Sequence, residues 1–231
     1  MKRKTLIIFS AFVFCFASCG KEPDENGPLP DAGDLGGGNF DNWVVINQGT
    51  VAYDNPAFDW WSSLNPLATI GGPITVTKTP DRKAGPFAAR LETKSWGTGF
   101  VIPGMLFSGV FDQTRPPGQN VVIGRPFSKR PKAFTGYYKY QPQADDSCGF
   151  LVALTSYNSS AGAHDTIAVA NFARSGSVPS YTYFSVDFDY RSTNTPDSIH
   201  VIIISSAAGN GMLGNPGSVL FVDELELKYN K

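Results

Sequence analysis

Cysteine and histidine are scarce in this chain, and both shortages narrow its chemistry. Among 231 residues there are three cysteines, Cys15, Cys19 and Cys148, and two histidines, His164 and His200. The first two cysteines belong to an N-terminal segment discussed below, which leaves Cys148 alone. An intramolecular disulfide and a cysteine metal cluster are therefore excluded, and Cys148 is expected to pack as a small hydrophobe. A zinc site would need more nitrogen or sulfur ligands than remain. Gly-x-Ser-x-Gly is absent, so nucleophilic catalysis has no motif to rest on. Helical periodicity is missing as well: no long stretch repeats apolar residues every three to four positions. Positive charge is not in surplus either. The net charge is −1, and losing Lys2, Arg3 and Lys4 with the leader removes three positive charges and leaves −4. A mildly acidic domain lacks the basic footprint of nucleic-acid binding, so no nucleic-acid partner is expected.

What is present begins with a leader. Met1-Lys-Arg-Lys4 is a positive n-region, residues 5–16 are apolar, and small residues precede Cys19. The apolar run is too short to span a bilayer and reads as a secretion signal. A cysteine placed directly after small residues marks a bacterial lipoprotein, with residues 1–18 cleaved and Cys19 lipidated. Phe16 stands where leucine is more usual. Residues 19–38 are polar and rich in Gly and Pro, too poor in apolar surface to offset their ordering entropy, and read as a flexible tether. Lys21-Glu22 and Asp24-Glu25 resemble the acidic export signal of surface lipoproteins. The expected location is the outer membrane, cell-surface exposed, with membrane contact only through the lipid.

Residues 39–231 suffice for one domain with a sizeable core. Short runs rich in Val, Ile, Tyr, Phe and Thr alternate with Gly, Pro, Asn and Asp clusters, which is the signature of strands and turns. Eleven candidates are 43–51, 74–77, 88–93, 106–111, 120–123, 134–141, 150–154, 166–172, 182–190, 198–205 and 218–228. Strands without intervening helices imply an all-β, antiparallel two-sheet β-sandwich, and the length suits a jelly roll. In Phe134-Thr-Gly-Tyr-Tyr-Lys-Tyr140, period-two alternation puts Phe134, Gly136, Tyr138 and Tyr140 on one face, with Thr135, Tyr137 and Lys139 on the other. Residues 182–190 place Phe184, Val186, Phe188 and Tyr190 inward, and Tyr183, Ser185, Asp187 and Asp189 towards water. Residues 199–204 are apolar on both faces apart from His200, which marks a central strand and makes His200 a hydrogen-bonded core residue. His164, in the 159–165 loop, is expected to be solvated.

Motifs for chemistry are few. Gly209, Gly211 and Gly214 have dinucleotide-loop spacing, but a strand pattern follows where a helix would be required, so the segment reads as a loop. Glycosidases need two carboxylates about 5–10 Å apart. Glu92, Asp145, Asp146, Asp187, Asp189, Glu224 and Glu226 are available, and no sequence feature pairs any two. Asp223 is different, because alternation puts it on one face with Val219, Phe221, Leu225 and Leu227. A buried carboxylate must be satisfied. Three partners are open: an arginine, loop backbone N–H groups, or a structural Ca²⁺, with Asp41 as a second acid if the terminal strands are adjacent.

The tryptophans supply the binding signal. Trp60 and Trp61 sit in a polar, turn-like setting, and Trp96 lies among loop residues. Flat aromatic faces stack on pyranose rings while polar rims hold the hydroxyls, so Trp60, Trp61 and Trp96 are the candidate carbohydrate-binding residues. The alternative is that they plug the ends of the sandwich.

The order of Phe40-Asp-Asn-Trp43, Trp61-Ser-Ser-Leu-Asn65, Pro86-Phe-Ala-Ala-Arg-Leu-Glu-Thr-Lys94 and Gly104-Met-Leu-Phe-Ser-Gly109 is distinctive. So are the segment from Gly124 to Tyr140, with its basic Lys129-Arg-Pro-Lys132 turn, and the run from Ser205 to Leu227. Together they resemble the "putative carbohydrate metabolism domain" (PCMD) of lipoproteins from gut-type polysaccharide-degrading bacteria. The resemblance covers essentially all of the mature domain. It implies a jelly roll similar to carbohydrate-binding modules and a role in glycan handling, and it carries no catalytic residue. Related proteins often add an N-terminal immunoglobulin-like domain, where this chain has a short tether. The expectation is a surface-anchored, non-catalytic binder of polysaccharide or oligosaccharide. A glycoside hydrolase or lyase on the same sandwich, or a component of a surface protein complex, are the alternatives. The basic turn is read as architectural, because three charges in an acidic domain do not make a groove.

Overall fold

The computed structural model describes residues 35–116, 118–207 and 214–230. The leader, Cys19, most of the tether and most of the 209–214 glycine motif lie outside the described residues. In chain order the strands are β1 (Trp43–Gln48), β2 (Val51–Pro56), β3 (Trp61–Ser63), β4 (Val76–Thr79), β5 (Ala88–Glu92) and β6 (Lys94–Trp96). Next come β7 (Phe100–Ile102), β8 (Met105–Phe111), β9 (Val121–Ile123), β10 (Arg125–Pro126), β11 (Ala133–Gln141) and β12 (Ser147–Asn158). The last are β13 (Ala163–Ser175), β14 (Val178–Asp187), β15 (Asp189–Tyr190), β16 (Ser198–Ile204) and β17 (Val219–Lys228).

All pairings are antiparallel. A larger, eight-stranded sheet has the order β15-β13-β12-β16-β8-β3, with β9 on β8 and β10 on β16; a smaller, five-stranded sheet runs β14-β11-β17-β5-β4. Two hairpins, β1–β2 and β6–β7, stand apart from both. The chain passes from β11 in the smaller sheet to β12 and β13 in the larger one and back to β14. The result is the two-sheet jelly-roll sandwich that alternation implied.

The core forms where the apolar faces of the two sheets meet. Phe134, Tyr138, Tyr140, Leu220 and Val222 from the smaller sheet join Phe150, Val152, Leu154, Ile199, Val201 and Ile203 from the larger. Rings interlock across the layers, Phe150 lying 4.9 Å from Phe184 and 5.9 Å from Tyr138. Each such aromatic removes enough apolar surface from water to contribute roughly 1.5–3 kcal/mol. Cys148 packs here as expected, with its thiol donating to the Arg174 carbonyl and pushed up to about 12 by burial.

Three details depart from simple alternation. Leu35, within the span expected to be tether, is buried in the core, so packed structure already includes it. Gly36 has φ of 51°, and a Cβ there would fall 2.4 Å from the Trp60 side chain. Only glycine tolerates both conditions. Residues 182–190 do not form one strand either. Phe188 breaks it by donating its N–H to the Lys132 carbonyl, and the chain continues as β15 in the other sheet.

The third departure is a bulge in β17. Thr135 pairs with Glu226 and Tyr137 with Asp223, so Glu224 and Leu225 together oppose Gly136. Glu224 takes φ of 51°, and Leu225 packs where a Gly136 Cβ would sit, 2.6 Å away. The extra residue reverses the alternation. Leu220 and Val222 point inward before it, and Leu225 and Leu227 after it. Asp223 is thereby placed on the outer surface of the smaller sheet with Phe221, rather than on the core side with Leu225 and Leu227.

Candidate functional site

Of the tryptophans expected to bind sugar, Trp60 and Trp61 are 7% and 2% exposed and lie in the main core. Their rings touch at 4.6 Å, and Trp61 meets Phe40 at 5.5 Å. The polar neighbours that suggested exposure are the short β3 and its turn; Trp61 itself pairs with Ser108 on β8 and faces inward. Neither can stack on a sugar. Trp96 is different. It is partly buried on the β6–β7 hairpin opposite Phe100, which is 62% exposed.

The hairpin is seated on the outer face of the larger sheet. Trp96 packs against a second cluster formed by Leu64, Ile102 and Phe107, with Met105, Ile202 and Ile123 around it. Strand register extends that cluster into one row across the sheet: Phe107 opposite Ile202, Ile202 opposite Leu151, and Leu151 opposite Asn171. Phe150 and Val152 point into the core, so Leu151 must point out. Exposure rises along the row, from Phe107 at 0% under the hairpin to Leu151 at 39%. A second row sets Val169 opposite Ala153 and Ala153 opposite His200. The hairpin thus roofs half of this face and leaves an apolar floor beside an aromatic wall, with Asn171 on the far rim. Leu151 is exposed on this face beside the half-buried Ala153, Val169 and Ile202.

Both histidines border that floor. His164 belongs to β13 instead of a solvated loop, pairs with Tyr157 across the strands and holds its ring 5.2 Å away. His200 is buried, and its Nε2 lies 2.9 Å from the Thr155 hydroxyl. Burial, then the nearby His164, lowers its pKa from 6.5 to about 4. His200 is consequently neutral at physiological pH; it is buried and hydrogen-bonded as expected, but on the outer side of the sheet against Gly124 instead of in the core between the sheets.

Asp223 is satisfied by loop backbone. Its Oδ2 accepts from the N–H groups of Lys83 at 2.7 Å and Ala84 at 3.1 Å, and its Oδ1 from Glu224 at 2.9 Å. Asp41 accepts from Asn39 and packs against Gly85. Three backbone N–H groups thus hold Asp223, while Asp41 Oδ1 is buried without a hydrogen-bond partner. Among the described residues no three His, Cys, Asp or Glu side chains converge on one point. The other carboxylates scatter. Glu92 bridges Arg90 and Lys94. Asp146 is buried, accepting from Ser206, Ser218 and the Ser147 and Asn215 N–H groups. Glu224 and Glu226 share a pocket, of about 420 Å³, with Gly37, Asn39, Asn42 and Phe58. The Glu224 carboxyl is raised by burial and then by Asp223, Asp41 and Glu226.

The comparisons with known proteins agree with this architecture. Two solved structures, both described as putative glycoside hydrolases, match with TM-scores of 0.68 and 0.67. The one from Bacteroides thetaiotaomicron is 22% identical, and the match covers 84% of this chain and 70% of that one. The one from Bacteroides vulgatus is 20% identical, with 83% and 97% covered. At such identities the likeness shows a shared fold and nothing of activity. No curated protein matches the chain. A family model matches residues 39–228, nearly the whole described domain, and on that match the chain belongs to the family described as "Putative carbohydrate metabolism domain".

Proposed function

We propose that this protein is a non-catalytic carbohydrate-binding lipoprotein, displayed on the outer membrane through Cys19, that holds a glycan on the outer face of its larger sheet. The observation that carries this reading is the half-roofed face, with Leu151, Ala153, Val169 and Ile202 as its floor and Trp96 and Phe100 as its wall. Sugar rings present one apolar face and a hydroxyl rim, which suits an apolar floor edged by Asn171. Membership of a carbohydrate metabolism family supports the ligand class. Affinity gels loaded with a broad polysaccharide panel test the reading: the purified chain should be retarded by at least one glycan. Trp96→Ala should weaken that retardation about tenfold, near 1.4 kcal/mol. Retardation by none overturns it. Anchoring is tested by palmitate labelling, which Cys19→Ala should abolish.

The Glu224–Glu226 pocket favours a second reading, a glycoside hydrolase. A carboxyl with a raised pKa beside another carboxylate is the arrangement that separates general acid from base or nucleophile. Phe58, 43% exposed, would supply the stacking face. Release of reducing ends from the same panel, abolished by Glu224→Gln, would establish it over simple binding.

A further inference from the structure

The basic turn is not only architectural. Arg130 and Lys132 line a second open pocket of about 430 Å³ together with Asp187, Phe188, Tyr190 and Asn230. That volume lies within the range of small-ligand sites, ~300–1,000 Å³. The pocket is built on fixed parts. The Arg130 guanidinium lies 4.1 Å from the centre of the Tyr190 ring and donates to the carbonyls of Ser192 and Asn194. Two of its five N–H donors are thus engaged, and the rest stay available. The Tyr190 hydroxyl donates to the Pro131 carbonyl at 2.7 Å. Lys132 is tied through its backbone to both neighbouring segments: its N–H donates to Lys228, and its carbonyl accepts from Phe188. These bonds hold the turn in place before any ligand arrives, which lowers the ordering penalty of binding.

Charge at the pocket runs against that of the molecule. The mature chain carries a net −4 once Lys2, Arg3 and Lys4 are removed from the overall −1. The neighbouring cations Lys228 and Arg191 are matched by Glu226 and Asp189. Lys132 is exposed and, among the described residues, has no carboxylate within ion-pair distance. Arg130 and Lys132 therefore face a single lining acid, Asp187, and the local field is positive. Tyr190 belongs to β15, the edge strand of the larger sheet, pairs with the core residue Ala168 and packs against the main core, so the pocket lies at the edge of the sandwich.

We propose that this pocket binds the anionic group of an acidic sugar, a carboxylate or a sulfate, with Arg130 and Lys132 as its counter-charges and Asp187 and Asn230 as hydroxyl partners. The sugar part of this assignment rests on the carbohydrate reading above; the anionic part rests on the pocket. Titrations of the purified mature chain with polygalacturonate oligomers, neutral galactan oligomers and a sulfated galactan, at low and high salt, test it. At low salt an acidic glycan should bind about tenfold more tightly than the neutral one, and the advantage should fade as screening rises. Lys132→Gln should remove most of that advantage while leaving neutral binding and the melting temperature unchanged, whereas Arg130→Gln should remove it and also lower the melting temperature, because the contacts to Tyr190, Ser192 and Asn194 go with it. Preference for the sulfated over the carboxylated glycan, with the same sensitivity to Lys132→Gln, would support the pocket and assign it to sulfate. Equal affinity for acidic and neutral glycans, lowered only by Trp96→Ala, would overturn the pocket assignment and leave the carbohydrate reading standing. Binding to none of the three would overturn the pocket assignment, while the carbohydrate reading stands or falls on the broad panel.

Discussion

The two outer faces of the sandwich are finished in opposite ways. On the smaller sheet a loop of residues 80–85 lies across the strands as a strap. Lys83 and Ala84 donate to Asp223, Asp81 meets the Lys139 ammonium, and the Tyr181 hydroxyl donates to the Asp81 carbonyl. Lys83 lies 4.7 Å from the Tyr137 ring, and Lys139 lies 4.5 Å from Phe221 and 5.2 Å from Tyr181. Among the described residues no such strap crosses β12 and β13 of the larger sheet, and Leu151 stays 39% exposed. The strap satisfies and covers Asp223 and Lys139 together with Phe221, although Tyr183 beside it stays 51% exposed, and on the other side Leu151 is left open. A fold spends covering structure on polar groups when the cover also satisfies them. It leaves apolar surface open when something from outside is to cover it.

That contrast can be broken at its closed side first. Asp223→Ala removes the acceptor for three backbone N–H groups. It should lower stability by about 3 kcal/mol in urea unfolding, while the affinity of the opposite face for glycan stays as in the parent. A loss of binding larger than the loss of stability would show that the two faces are coupled.

The pH dependence of the open side comes next. The folded-state pKa of His200 lies below its ordinary 6.5, near 4. The unfolded chain therefore binds more protons between these values, and stability falls as pH drops from about 6.5 towards 4. The contribution is up to roughly 3 kcal/mol. His200→Gln should flatten the unfolding free energy across that window relative to the parent; parallel profiles would refute the assignment. The smallest expected effect on stability is at Leu151. Leu151→Ser should change stability by no more than about 0.5 kcal/mol yet weaken glycan retention several-fold, since the residue is floor rather than core.

Much of the sandwich was legible in the chain. The alternation of Phe134, Gly136, Tyr138 and Tyr140 appears in the core as read, and the doubly apolar 199–204 run is a central strand between β12 and β8. The bulge was not legible, because nothing about Glu224 itself favours a left-handed backbone. Its trace was on the partner strand, where Gly136 interrupts a row of aromatics to make room for Leu225. The Trp60-Trp61 pair misled because its polar neighbours look like a loop, whereas Gly36 packs over Trp60 from far along the chain. The open face had a sequence signal that went unused. Gly149-Phe-Leu-Val-Ala-Leu154 is apolar without alternation, so a strand lying at the sandwich surface must show one apolar side outward. The two pockets combine residues distant in sequence, Asn39 with Glu224 and Lys132 with Tyr190, and only strand register brings these together.

The junction of the N-terminal glycines with β17 has a mechanical consequence. Gly38 accepts from the Leu225 N–H, and Leu35 is sunk in the core beside it. Tension applied ahead of Leu35 enters the domain at the middle strand of the smaller sheet, instead of at an edge where strands can be unzipped one bond at a time. On the proposed function, a domain held at its centre while its opposite face gripped a long polymer would resist being pulled apart by the polymer it held.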